Sequence, residues 1–77
     1  MFVSVDVKEL TKLRKNSGLT KHKLSLLAGL PSNALSRLES ESTINNRTSL
    51  LRLNAIADVL NVDVYRLIVK EQKRNGI

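Results

Sequence analysis

The chain has 77 residues, 42% of them hydrophobic but only two aromatic, Phe2 and Tyr65, and thirteen Lys and Arg against seven Asp and Glu for a formal net charge of +6. That length allows one small domain, burying only about 60% of its unfolded surface, and the basic balance favours a polyanionic partner (the plainer alternative is a merely soluble basic protein). The absence of cysteine excludes disulfides, thiolate catalysis and cysteine zinc sites, no run reaches the ~18 apolar residues of a membrane span, and the opening MFVSVDV lacks the basic region and apolar core of a signal peptide.

Val3, Val5 and Val7 alternate, which suits a short strand or an extended arm over residues 1–5. Fourteen leucines with three glycines and one proline point to helices beyond it. Val7, Leu10 and Leu13 keep helical spacing, Asp6 with Glu9 resembles a capping box, and Asn16, Ser17 and Gly18 supply a stop; this predicts a first helix over 6–16. Thr20 is a good cap for a second helix over 20–28, with Leu24, Leu27 and Ala28 on one face and Gly29 ending it at positive φ. Pro31 lacks an N–H, which a first helical turn tolerates, so a third helix is predicted over 31–40. The polar run SESTINNR, 40–47, reads as a loop. Leu50, Leu53, Ile56, Ala57 and Leu60 predict a fourth helix over 48–60, broken at Asn61 and Val62. Asp63 caps a short fifth helix with Val64, Leu67 and Ile68 inward, and 70–77 is a basic tail. The expected architecture is all-α: a single domain of five helices around one core, without internal repeats.

Two helices joined by a tight turn containing Gly29 make a helix-turn-helix, spanning 20–40. Leu35 and Leu38 anchor its second helix, so Ser32, Asn33, Ser36 and Arg37 project together from the opposite face. Arg37 has the fork for a bidentate pair with guanine O6 and N7, and Asn33 the amide for adenine N6 and N7. Ser32 and Ser36 are small enough to let the helix enter a major groove. The alternative is a plain solvated face, which every surface helix has.

Residues 20–39, TKHKLSLLAGLPSNALSRLE, resemble the helix-turn-helix of Cro and CI repressors and Xre-type regulators, through Leu24, Gly29, Leu35, Leu38 and Glu39 at the family spacing. The likeness continues through IADVLNVDVYRL, 56–67, and covers about residues 6–68. It implies a lambda-repressor-like domain, placed here at 6–69, in which Arg14 of the first helix pairs with Glu39 and lies near the DNA backbone; the alternative for Arg14 is an ordinary exposed charge. Phosphate contacts are expected at the start of the second helix, from Thr20, Lys21 and Lys23 with help from His22, and from Arg47, Asn45 and Asn46 after the third. Lys21 stands where the family usually has glutamine and would bind phosphate as a point charge. Other departures are Ser25 for a common alanine, whose hydroxyl needs a partner, Leu26 and Leu27 at usually polar positions, Pro31 for a usual serine or threonine cap, and a loop 40–47 slightly longer than usual.

Lys8, Lys12 and Lys15 share one face of the first helix, a solvated face or one near DNA. A lone His22 makes a metal site unexpected. Tyr65, Ile68 and Val69 suit either core or a dimer seam shared with Phe2 or the VSV segment. The functional expectation is a cytoplasmic, sequence-specific binder of double-stranded DNA, encoded by a bacterium, phage or mobile element. It would be a transcriptional regulator, a repressor in the first instance, acting as a homodimer on half-sites about one helical turn apart. The length leaves no room for a sensing domain. The alternatives are a DNA-binding antitoxin, or an adaptor that keeps the fold and binds protein through Leu26 or the last helix. No nucleophile with a base, no glycine-rich phosphate loop and no metal cluster suggests an enzyme; no cofactor, small-molecule substrate or membrane partner is expected.

Overall fold

A computed structural model of the chain describes residues 1–40 and 47–69. In order they form β1 (Phe2–Ser4), α1 (Val7–Asn16), α2 (Lys21–Leu27), α3 (Ala34–Ser40), β2 (Arg47–Ser49), α4 (Leu50–Leu60) and a single turn of 3₁₀ helix (Val64–Leu67). Local chemistry sets the starts. Asp6 Oδ1 accepts from Glu9 N–H at 3.1 Å, Thr20 Oγ1 from Lys23 N–H at 3.0 Å, Ser49 Oγ from Arg52 N–H at 3.1 Å and Asp63 Oδ1 from Tyr65 N–H at 3.0 Å. Each bond satisfies a donor that a first turn leaves orphaned.

Three helices, α1, α2 and α4, end alike. Gly18 (φ +72°), Gly29 (φ +74°) and Asn61 (φ 59°) each take the left-handed conformation. The next residue then returns its N–H five residues back: Leu19 to Arg14 O (3.2 Å), Leu30 to Ser25 O (2.9 Å), Val62 to Ala57 O (3.0 Å). This is the Schellman closure, and the residue after the left-handed one is apolar each time and packs against the core.

Val5, Leu10, Leu24, Leu35, Leu53, Ile56, Ala57 and Leu67 are wholly buried. They draw one residue or more from each of α1, α2, α3, α4 and the 3₁₀ helix, and each large one contributes about 1.5–3 kcal/mol by leaving water.

Four expectations need correction. The fold is not all-α, because β1 and β2 pair antiparallel with Phe2 opposite Ser49, Val3 opposite Thr48 and Ser4 opposite Arg47. Of the alternating valines, Val3 lies in β1, Val5 is wholly buried in a bridge to Ile68, and Val7 opens α1. The fifth helix is one 3₁₀ turn, because the chain beyond it extends to pair with the segment after β1: Asp6 N–H to Leu67 O (2.8 Å) and Val69 N–H to Ser4 O (2.9 Å). α4 begins at Leu50 rather than 48, since Thr48 is claimed by the sheet. Leu27 is half exposed, because the inward face of α2 is Leu24, Ser25 and Ala28 and leaves Leu27 more than a quarter-turn aside.

Candidate nucleic-acid interface

The turn between α2 and α3 is organised around one polar side chain. Ser25 is fully buried. Its hydroxyl donates to Lys21 O at 2.9 Å and accepts from Leu35 N–H at 3.0 Å, while its carbonyl accepts from Leu30 N–H. The buried hydroxyl that stood out in the sequence therefore has two partners, and it binds α2 to the first turn of α3. Beneath α3, Leu35 is sealed and Leu38 packs on the core.

The third helix expected from 31 starts at Ala34. Ala34 N–H instead closes a turn onto Pro31 O at 2.9 Å, and the first helical bond runs from Arg37 N–H to Asn33 O at 3.0 Å. Ser32 and Asn33 thus sit in the turn that leads into α3, while Ser36 and Arg37 lie on the helix. All four are exposed. Among the described residues none of the four side chains makes a hydrogen bond or ion pair. They form a small, polar, singly cationic ridge with every donor open.

Behind the ridge lies a closed ion pair. Arg14 Nε donates to Glu39 Oε2 at 2.8 Å and Nη2 to Oε1 at 3.1 Å, and the two side chains are 8% and 3% exposed. Thr11 Oγ1 adds a third donor to Oε1 at 3.0 Å, and Arg14 Nη1 reaches Leu19 O at 2.7 Å. α1 is thereby tied both to the end of α3 and to the turn before α2. A buried fork of this kind holds only with such full pairing; losing one partner costs about 3–5 kcal/mol. Three of the five guanidinium donors are committed inside the domain, so the visible work of Arg14 is to hold α3 in place. Thr11 was missed from sequence, although its place one turn before Arg14 on the same face was a signal for it.

The sequence on either side of the ridge is rich in cations and poor in carboxylates. Between residues 16 and 40 the only acidic side chain is Glu39, already neutralised, against Lys21, Lys23 and Arg37. Thr20, Lys21, His22 and Lys23 are exposed at the start of α2. Thr20 accepts from Lys23 N–H but keeps its own O–H to donate. Arg47, exposed on β2, donates from Nη2 to Phe2 O at 3.3 Å. Asn45 and Asn46 lie outside the described residues. Lys8, Lys12 and Lys15 are exposed on α1. An open apolar groove of about 590 Å³, lined by Met1, Ser49, Leu50, Leu51, Asn54 and Val64, shares no residue with the ridge. Among the described residues no His, Asp and Glu cluster could hold a metal ion, and no helix is long and apolar enough to cross a membrane.

The sequence profile of a family described as helix-turn-helix matches residues 10–67, from α1 through the 3₁₀ helix. No individual curated protein matches the chain.

Proposed function

The chain belongs to the Cro/CI-type, Xre-like helix-turn-helix family of DNA-binding regulators, and from that premise we propose that it reads a specific duplex site with α3 and the turn before it, as a repressor. Arg37 pairs with a guanine edge and Asn33 with an adenine edge, each contact discriminating by about 1–3 kcal/mol. Ser32 and Ser36 let the backbone approach the groove floor. Thr20, Lys21 and Lys23, with Asn46 and Arg47 from the segment that follows α3 in sequence, engage phosphates and set the register, and the remaining donors of Arg14 add to them. Two copies on half-sites about one helical turn apart complete the operator, in the cytoplasm of a bacterium. Occupying that site blocks competitors for it, which is repression in its simplest form.

The observation that supports this best is the open ridge of Ser32, Asn33, Ser36 and Arg37, unpaired outside and braced inside by Ser25 and the Arg14–Glu39 fork. Selection of bound duplexes from a random pool tests it. A recurrent, palindromic site is expected, with affinity for random duplex falling steeply as salt rises. A second reading, a protein-binding adaptor, draws on Leu26 and Leu27, both half exposed. Absent or salt-insensitive DNA binding would favour it and remove the first.

A further inference from the structure

A helix that opens on asparagine, serine, threonine or aspartate ordinarily turns that side chain back onto the N–H two or three residues ahead. α1, α2 and α4 do this through Asp6, Thr20 and Ser49. α3 does not. Asn33 holds the capping position, since its carbonyl accepts the first helical bond, yet its amide is exposed and makes no hydrogen bond among the described residues. Of the two N–H groups such a side chain can cap, that of Leu35, two residues ahead, is already taken from behind by Ser25 Oγ.

We infer that Ser25 is a positioning residue for recognition: by capping α3 from inside the fold, it leaves the Asn33 amide free to meet a base edge. The inference rests on the reading of α3 as the DNA-reading element. A bidentate adenine contact needs Asn33 Oδ1 as acceptor and Nδ2 as donor, both facing the duplex. Capping would use Oδ1 on Leu35 N–H and rotate the amide plane toward the helix. Without the Ser25 hydroxyl, Leu35 N–H is a buried orphan, and Asn33, at the capping position two residues before it, carries a side chain of the kind that answers such a donor. The two demands on Asn33 then compete, and the internal cap removes the one that Leu35 N–H makes. Pro31 fits the same plan, because it brings the chain into α3 without adding a donor that needs a partner.

A double-mutant cycle tests this. Ser25→Thr keeps a hydroxyl able to bond the carbonyl four residues back, and Ser25→Val has the same volume without it. Each is made with Asn33 present and with Asn33→Ala; Ser25→Ala against wild type repeats the cycle should the added methyl disturb folding. Binding to the selected duplex and to random duplex is measured at one salt concentration, with hydrogen exchange at the Leu35 amide. With Asn33 present, Ser25→Val binds the selected duplex at least about fivefold more weakly than Ser25→Thr, the smallest loss a bidentate contact predicts, and random duplex equally. With Asn33→Ala the difference vanishes, and the Leu35 amide, which Asn33 kept protected in Ser25→Val, now exchanges faster. Equal losses in both backgrounds, losses on random duplex too, or no difference between Thr and Val would overturn the proposal. Wild-type protein that selects no site would instead bring down the regulator reading itself, and this inference with it, before any variant is made.

Discussion

The two ends of this molecule solve the same problem in opposite ways. Around the α2–α3 turn, side chains satisfy the main chain from within: Ser25 caps α3, Arg14 holds the Leu19 carbonyl, and Glu39 collects three donors. The polar groups left over stand outside and unpaired. Around the sheet, main chain satisfies main chain: β1 pairs with β2, and the segment after it pairs with 67–69. Much of what is left outside there is apolar, with Met1, Phe2, Leu51 and Tyr65 each more than 60% exposed. One end presents donors over a rigid brace; the other presents hydrophobic surface beside a groove. Base reading, as proposed for α3, needs oriented donors that cost no reorganisation, and the unpaired side chains of Ser32, Asn33, Ser36 and Arg37 at the first end are of that kind.

The strongest way to break this contrast is to cut the brace. Glu39→Ala strands Arg14 in a nearly dry site and is expected to lower stability by about 3–5 kcal/mol in urea denaturation; a loss below about 1 kcal/mol would show the fork to be ornamental. Replacing both partners with apolar residues should recover much of that loss, because no charge is then left buried. At the other end, Val5→Ala removes two buried methyl groups and should cost about 2 kcal/mol, while leaving the ratio of selected to random DNA affinity unchanged. A changed ratio would mean the sheet takes part in reading.

Arg37→Ala sharpens the contrast from outside. It should weaken the selected site by about 1–3 kcal/mol, with stability and random-duplex affinity intact. Equal weakening on both duplexes would reduce Arg37 to a phosphate contact. Lys21→Ala should weaken both alike and reduce the slope of log affinity against log salt by about one, read from titrations at several ionic strengths. The smallest effect belongs to Leu51→Ser, on an 83% exposed side chain, where thermal unfolding should place the change within about 0.5 kcal/mol.

Much of the helical frame was legible residue by residue. Asp6, Thr20 and Asp63 read as caps and act as caps, and Gly18, Gly29 and Asn61 read as stops and take positive φ. These features are local, complete within about four residues, so spacing alone reveals them. The exposure of Ser32, Asn33, Ser36 and Arg37 followed from the leucines beneath. Their placement was only half legible: Pro31 is compatible with a first helical turn and with a turn before one, and the choice fell to the Ala34–Pro31 bond and the Ser25 cap. Thr48 and Ser49 carry no periodicity that separates strand from helix start, so the sequence assigns them to the fourth helix and Arg47 to the loop before it.

The amino-acid sequence by itself determined, to within a residue, the span of α1 and α2 and the end of α4, and the inward placing of Leu10, Leu24, Leu35, Leu53 and Leu60, because caps, stops and apolar periods act over a turn or two. Only the tertiary structure decided that Phe2–Ser4 is a strand, that the last helix shortens to one 3₁₀ turn, and that Ser25 closes α3 from behind. Those outcomes join residues 10 to 65 positions apart, and a donor finds its acceptor at such range only after the core has brought the two together.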